Sequence, residues 1–314
     1  MQDKTAIETL FNQHVISGIS YVDTLIVRLP RLLRSDQLRA IRARCGSFCY
    51  EKSDKPIWMK HKKWRLYQAK IYLHQPTVEV IHSIDRWFKT IPPTIVGLHI
   101  AFDLITASPA AAHQINACIT QHLYKPWHRL NHKISHYSGH NATTTYFRER
   151  NSPTVLVIYS DKKSKILDTP CCHFEIRLSS RNAVPTSGIK NLRNIIALDP
   201  KLLLNRWFRM CVLDKEKLGK ISSGRHANSK SRISVLWYNQ SRNYDIWSTN
   251  TKIRIARYRY LNSDYGDYQP QLTSDVLALS TMGVKGVKTC LITINTNRFL
   301  PDALSWPQKG IDDG

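Results

Sequence analysis

The chain has few acidic residues and no long apolar run, and both shortages limit the classes of protein to which it can belong. Its 314 residues include 23 Asp and Glu against 46 Lys and Arg, which gives a formal net charge of +23. No stretch approaches the ~20 apolar residues of a membrane helix, so we expect no membrane-spanning segment. The polar, amphipathic N-terminal stretch also lacks the apolar core of a secretory signal. These shortages predict a cytoplasmic protein.

A complete zinc-ligand pattern is also missing. Cys45 and Cys49 lie four residues apart, but no further cysteine pair completes a zinc ribbon. Other cysteines, such as Cys118, Cys211 and Cys290, are scattered through apolar segments. We therefore interpret most of the cysteines as buried thiols rather than as disulfides or zinc ligands.

The positive charge belongs to a folded protein, because 42% of the residues are hydrophobic and 10% are aromatic. A folded chain this basic repels itself unless a polyanion neutralises it. Nucleic acid is the first candidate, and an anionic membrane surface is the second. The charge argues against an enzyme that acts only on small metabolites.

The composition changes near residue 216, and we expect a domain over 1–215 and a basic C-terminal DNA-binding or accessory region over 216–314. Residues 217–260 hold ten Lys or Arg and one acid, Asp245. Within this stretch, Arg254, Arg257 and Arg259 alternate with aromatic residues. Two interpretations stay open: arginines on phosphates with rings stacked on unpaired bases, or a basic outer strand with core aromatics.

The apolar periodicity predicts an α+β fold with a central, mostly antiparallel sheet flanked by helices. The predicted strands cover 21–29, 64–73, 94–105, 143–149, 155–159 and 173–178. The predicted helices cover 3–18, 35–44, 77–89, 108–124 and 189–212, the last divided at 199–200. The segment 131–141 is predicted to be a loop.

Polar residues interrupt two of these apolar strands. His99 and Asp103 share one face of their strand, and His173, Glu175 and Arg177 share one face of theirs, because strand side chains alternate. Buried acids are costly unless they are paired or bind a metal. Asp103 and Glu175, with His99 as a third ligand, are therefore candidates for binding Mg²⁺ or Mn²⁺.

Tyr159 ends another buried strand and precedes a lysine cluster. A phenol with a nearby metal ion and lysine can attack phosphorus, so we predict Tyr159 as a nucleophile with Lys162 or Lys163 as its electrostatic partner. Simpler interpretations remain open. Glu175 and Arg177 can form an ordinary ion pair, Asp103 can cap a helix, and Tyr159 can end its strand without any chemistry.

Four short motifs occur in the same order as in a known protein family. They are His99-Ile-Ala-Phe-Asp103, Tyr146-Phe-Arg-Glu-Arg-Asn-Ser152, Tyr159-Ser-Asp-Lys162 and His173-Phe-Glu-Ile-Arg177. Over residues 20–215 the chain resembles rolling-circle replication initiators of the Rep_trans (plasmid replication initiation factor) type, which plasmids and phages encode. His99 stands where that family has an acid, and Arg148 and Glu149 replace its glycine and serine.

The resemblance implies a relaxase-like, metal-dependent DNA nicking-joining enzyme. Such an initiator binds a double-strand, hairpin-forming origin and nicks one strand. Tyr159 would become linked to the 5′-phosphate, Asp103 and Glu175 would bind the metal ion, and the free 3′-OH would prime synthesis.

The implied partners are a host helicase, a DNA polymerase and a second copy of the chain in a homodimer, unless Tyr146 acts as a second tyrosine. We expect four basic side chains in or near the motifs to contact DNA: Arg148, Arg150, Lys165 and Arg177. The rival interpretations are a non-catalytic DNA-binding regulator of the same fold and an RNA-binding protein.

Overall fold

The computed structural model describes residues 2–52, 57–59, 63–65, 67–124, 134–139, 142–147, 153–180, 182–207, 209–214, 217, 291–295 and 297–307. The chain divides into two compact units. One unit comprises residues 1–14, 113–131 and 205–296, and the other comprises 15–112, 132–204 and 297–314. The boundary predicted at 215/216 lies outside the described residues and stays a prediction.

The elements are numbered in chain order. The strands are β1 Val15–Leu29, β2 Cys45–Lys52, β3 Ile57–Met59, β4 Lys63–Arg65, β5 Ala69–Pro76, β6 Thr94–Thr106, β7 Leu123–Tyr124, β8 Ile134–Gly139, β9 Ala142–Phe147, β10 Thr154–Tyr159, β11 Cys171–Leu178, β12 Arg209–Leu213 and β13 Leu291–Thr293. The helices are α1 Gln2–His14, α2 Ser35–Arg44, α3 Val78–Trp87, α4 Pro109–His122, α5 Ala183–Thr186, α6 Leu192–Ile196 and α7 Pro200–Trp207.

An eight-stranded sheet dominates the second unit, in the order β2-β5-β1-β6-β11-β10-β9-β8. Every neighbouring pair in it is antiparallel. The first unit contains a small sheet in the order β13-β12-β7. The predicted α+β class with an antiparallel central sheet is therefore confirmed.

One face of the large sheet is apolar across its central strands. Phe102 on β6 stacks on Phe174 on β11, with ring centroids 5.1 Å apart. Further apolar pairs along this face are Leu25–Leu98, Ile100–Ile176 and Leu98–Leu178. Burying these side chains stabilises the fold by roughly 1.5–3 kcal/mol for each one.

Side-chain hydroxyls cap two of the helix starts. The Thr77 hydroxyl accepts a hydrogen bond from the Val80 amide at 3.4 Å and begins α3, which buries Val80, Ile81 and Ile84 along one side. The Ser108 hydroxyl accepts one from the Ala111 amide at 3.2 Å, ahead of α4. No helix among the described residues combines the length and the apolar character that crossing a membrane requires.

Four segment predictions are wrong in part. The predicted strand 64–73 is two strands, β4 and β5, which belong to different sheets. The first helix ends at His14, and β1 begins at once at Val15. The predicted loop 131–141 contains β8, because backbone pairing with β9 supplies hydrogen bonds that the composition of β8 does not indicate. The end of the predicted helix 189–212 is β12, which pairs with β7 and β13.

The cysteine interpretation holds over the residues that the structure describes. Their six cysteines are all free, and only Cys49 is exposed. Burial raises the pKa of the Cys118 thiol to about 12, so it stays protonated and packs as a small apolar group.

The segment 297–305 runs beside β1 and closes one end of the second unit. The Ser305 amide donates to the Ser20 carbonyl at 2.5 Å, and the Ser20 hydroxyl donates to the Ala303 carbonyl at 3.3 Å. A Cβ atom at Gly18 would overlap the carbonyl oxygen of Phe299. Close approach of two backbones therefore requires glycine at this position.

Gly18→Ala is expected to lower the free energy of unfolding by about 1–3 kcal/mol, the usual cost of overpacking. The matched control is Gly46→Ala on β2, where the new Cβ meets the movable end of the Gln75 side chain at 2.9 Å and the His74 carbonyl oxygen at 3.1 Å, a far looser backbone contact than the one at Gly18. Urea denaturation followed by fluorescence measures both variants. Equal stability of the two would contradict the assigned contact.

Candidate active site

The face of the large sheet opposite the apolar face carries a band of polar residues. His173 on β11 lies opposite Asp103 on β6 and, on its other side, opposite Tyr159 on β10. Arg177 lies opposite His99 in the same way. The register thus brings the polar residues of the three predicted strands onto one face, as their alternation predicts.

A β-bulge places both Asp23 and Thr24 on this face, where the Thr24 hydroxyl donates to Asp23 Oδ2 at 3.2 Å. Val22 pairs with Ile100 and Thr24 pairs with His99, so β1 advances by two residues while β6 advances by one. Asp23 is the extra residue, and both it and Thr24 are buried. Bulges redirect a side chain in this way without ending the strand.

Asp23, His99 and Glu175 form a three-residue cluster. Each offers a ligand atom, and these atoms all lie within 4.8 Å of one another. His99 Nδ1 lies 2.9 Å from Glu175 Oε1, a buried oxygen that makes no hydrogen bond of good geometry with the described residues. Two carboxylates, one imidazole and an unsatisfied buried oxygen fit a divalent cation such as Mg²⁺ or Mn²⁺.

Glu175 is almost completely buried, and its surroundings keep it ionised. Burial alone would raise the pKa of Glu175, but the neighbouring imidazoles and the Arg177 guanidinium hold that pKa well below its usual range. Arg177 donates to Glu175 Oε2 at 2.9 Å. The predicted Glu175–Arg177 ion pair therefore exists, and it leaves the other carboxylate oxygen directed toward the cluster.

Asp103, the other predicted metal ligand, lies outside this cluster. Its Oδ1 is 2.5 Å from His173 Nδ1, and its Oδ2 accepts a hydrogen bond from Tyr21 at 3.3 Å. Burial alone would lower the pKa of His173, but its contacts with Asp103 and Glu175 raise it. Asp103 thus orients His173, whose Nε2 lies 3.9 Å from Glu175 Oε2.

Tyr159 lies against this imidazole. The two rings stack with centroids 4.3 Å apart and planes 25° from parallel, which fixes the position of the half-buried phenol beside the acids. Burial raises the pKa of Tyr159, and the negative charges of the three nearby carboxylates raise it further. The phenol is therefore protonated at neutral pH unless positive charge is added to the site.

The three lysines of the β10–β11 loop have different contacts. Lys162 Nζ lies 5.8 Å from the centroid of the Tyr159 ring. Lys163 pairs with the exposed Asp168 at 3.2 Å. Lys165 Nζ lies 2.5 Å from Asp23 Oδ1. Of the two predicted partners of the tyrosine, the structure places Lys162 beside its ring.

Five predicted DNA contacts lie outside the described residues: Arg148, Arg150, Arg254, Arg257 and Arg259. Arg177 lies over the ring of Tyr146, with the guanidinium carbon 5.8 Å from the ring centroid. Sequence reasoning did not single out Asp23 or give His173 a role. An acid inside the apolar run 21–29 was the available signal for Asp23, but alternation within that run does not reveal which strand it pairs with.

Comparisons with known proteins give little at the sequence level. Neither the protein-family models nor the curated proteins contain a match. Among solved structures, a rolling circle replication initiator protein from Geobacillus stearothermophilus aligns with a TM-score of 0.36 and 12% identity, over 71% of this chain and 96% of that chain. A structural similarity this low does not show the function of this chain.

Asp23→Asn is expected to weaken Mn²⁺ binding by about tenfold or more, because it removes a ligand charge while keeping the side-chain shape. Asp103→Asn is the matched control. It removes an equally buried charge outside the cluster and should bind Mn²⁺ almost as tightly as the wild type. Isothermal titration with Mn²⁺ measures both, and a greater loss in Asp103→Asn would favour the ligand set expected from the sequence.

Proposed function

We propose that this chain is a rolling-circle replication initiator that nicks one strand of origin DNA with Tyr159. The observation that carries the proposal is the position of the Tyr159 ring, stacked on His173 beside a cluster of metal-ligand type. A lone tyrosine at a strand end has no need of such surroundings. The net charge of +23 fits a polyanionic substrate.

In the proposed reaction the Tyr159 oxygen attacks the scissile phosphorus. A bond forms between the phenolic oxygen and phosphorus, and the bond between phosphorus and the 3′-oxygen breaks. The phenol loses its proton, and the departing 3′-oxygen gains one to become a free 3′-OH. The reverse attack by a 3′-OH rejoins the strand and restores the phenol.

Asp23, His99 and Glu175 would hold the divalent ion, which when bound polarises a phosphodiester and offsets the carboxylate charge near Tyr159. His173 keeps the phenol ring in place, and Asp103 keeps His173 in place. Lys162, beside the phenol ring, supplies the positive charge that favours the phenolate. We include Asp103 as a positioning residue rather than as a ligand.

The remaining parts of the proposal concern DNA and partners. Arg177 and Lys165 lie on the polar face where a phosphodiester would approach Tyr159. The basic residues outside the described part of the chain would extend this contact along the origin. Origin binding, hairpin recognition, a homodimer, a host helicase and a DNA polymerase belong to the same proposal.

Tyr159→Phe is expected to reduce nicking on the order of 10⁴-fold or more, because it removes the nucleophilic oxygen. The assay incubates the full chain and Mn²⁺ or Mg²⁺ with a supercoiled plasmid that carries the DNA flanking the gene. The wild type should give open circles and a covalent DNA–protein adduct. Tyr159→Phe should give neither, while its DNA affinity stays close to that of the wild type.

Tyr146→Phe is the matched control, since Tyr146 lies on the neighbouring strand of the same sheet. It should still nick and form the adduct. Normal nicking by Tyr159→Phe would overturn the assignment of the nucleophile. Duplex binding without nicking under any divalent ion would favour a regulator, and a preference for RNA over duplex DNA would favour an RNA-binding protein.

A further inference from the structure

Lys165 reaches the metal-type cluster from a loop with a fixed shape. The Ser164 hydroxyl is buried and accepts hydrogen bonds from the amides of Ile166 and Leu167, each at 3.3 Å. The Ser164 amide donates to the Thr169 carbonyl at 2.8 Å. These bonds hold the backbone on both sides of Lys165, so the loop presents its side chain to Asp23.

Each carboxylate of the cluster is paired with a positively charged side chain. Lys165 Nζ lies 2.5 Å from Asp23 Oδ1, and Arg177 donates to Glu175 Oε2 at 2.9 Å. Together these two side chains match the charge of the two carboxylates. A divalent cation that binds the same carboxylates would therefore bring excess positive charge to the cluster.

The two cations differ in how firmly they are held. The planar guanidinium of Arg177 lies over the Tyr146 ring, and its side chain is 26% exposed. The Lys165 side chain is 39% exposed and ends in a flexible, strongly hydrated ammonium. Lys165 can therefore withdraw into solvent at a lower cost than Arg177.

We propose that Lys165 is an exchangeable counter-cation that occupies Asp23 in the metal-free protein and is displaced when a divalent ion binds Asp23, His99 and Glu175. The inference rests on the metal site of the proposed function. It is supported by Glu175 Oε1, the buried oxygen that lacks a hydrogen-bond donor and is directed into the cluster. Lys165 keeps the cluster neutral and folded without metal, and it lowers the affinity for metal.

The test compares three variants of the full chain in Mn²⁺ titrations, with free Mn²⁺ measured by electron paramagnetic resonance. Lys165→Met removes the charge and keeps the aliphatic stem, whereas Lys165→Arg keeps the charge. Lys163→Met is the matched control, because Lys163 pairs with the exposed Asp168 in the same loop. Lys165→Met should bind Mn²⁺ about fivefold or more tightly than the wild type, since it removes a competing cation.

Lys163→Met should bind like the wild type, and Lys165→Arg should bind no more tightly than the wild type. In a metal chelator, Lys165→Met should melt at a lower temperature than the wild type, and saturating Mn²⁺ should close that gap. Equal or weaker Mn²⁺ binding by Lys165→Met, or no binding by any variant, would overturn the exchange. These titrations contain no DNA, so their outcome is separate from the nicking result.

Discussion

The cost of burying carboxylates constrains the whole polar face of the large sheet. Three acids lie there within one sheet, and a buried acid without a partner costs several kcal/mol. Asp23 is paired with a lysine, Asp103 with a histidine and Glu175 with an arginine. Because each partner comes from β11 or from the loop before it, that part of the chain holds the site together.

The negative charge of these carboxylates helps the cluster bind a cation but makes the Tyr159 phenol harder to deprotonate. It favours a divalent cation at the cluster, and it adds to the rise that burial gives the pKa of Tyr159. In the proposed reaction such a phenol would be a poor nucleophile until positive charge arrives. The proposed function would thus link the reactivity of Tyr159 to occupancy of the cluster by a cation.

Sequence patterns predicted the sheet better than the site. Alternation in 94–105 and in 173–178 correctly grouped the polar residues of each strand on one face, because a period of two is a local property. It could not say that the two faces coincide or which acids would meet, since that depends on register between distant strands. Asp23 was missed because its place beside His99 and Glu175 depends on the pairing of β1 with β6, which alternation within one strand does not reveal. The strand at 134–139 was missed because its pairing with β9, rather than its composition, defines it.

The contact between β1 and the segment 297–305 has a consequence for how the chain folds while it is being synthesised. Ser20 and Ala303 are 283 residues apart in the chain, yet their hydrogen bond joins the first long strand to the segment that closes it. Until residues 297–305 have been made, the Ser20 end of β1 lacks this partner. Contacts between residues so far apart in the chain form slowly, and a strand edge left open in the meantime can meet wrong partners.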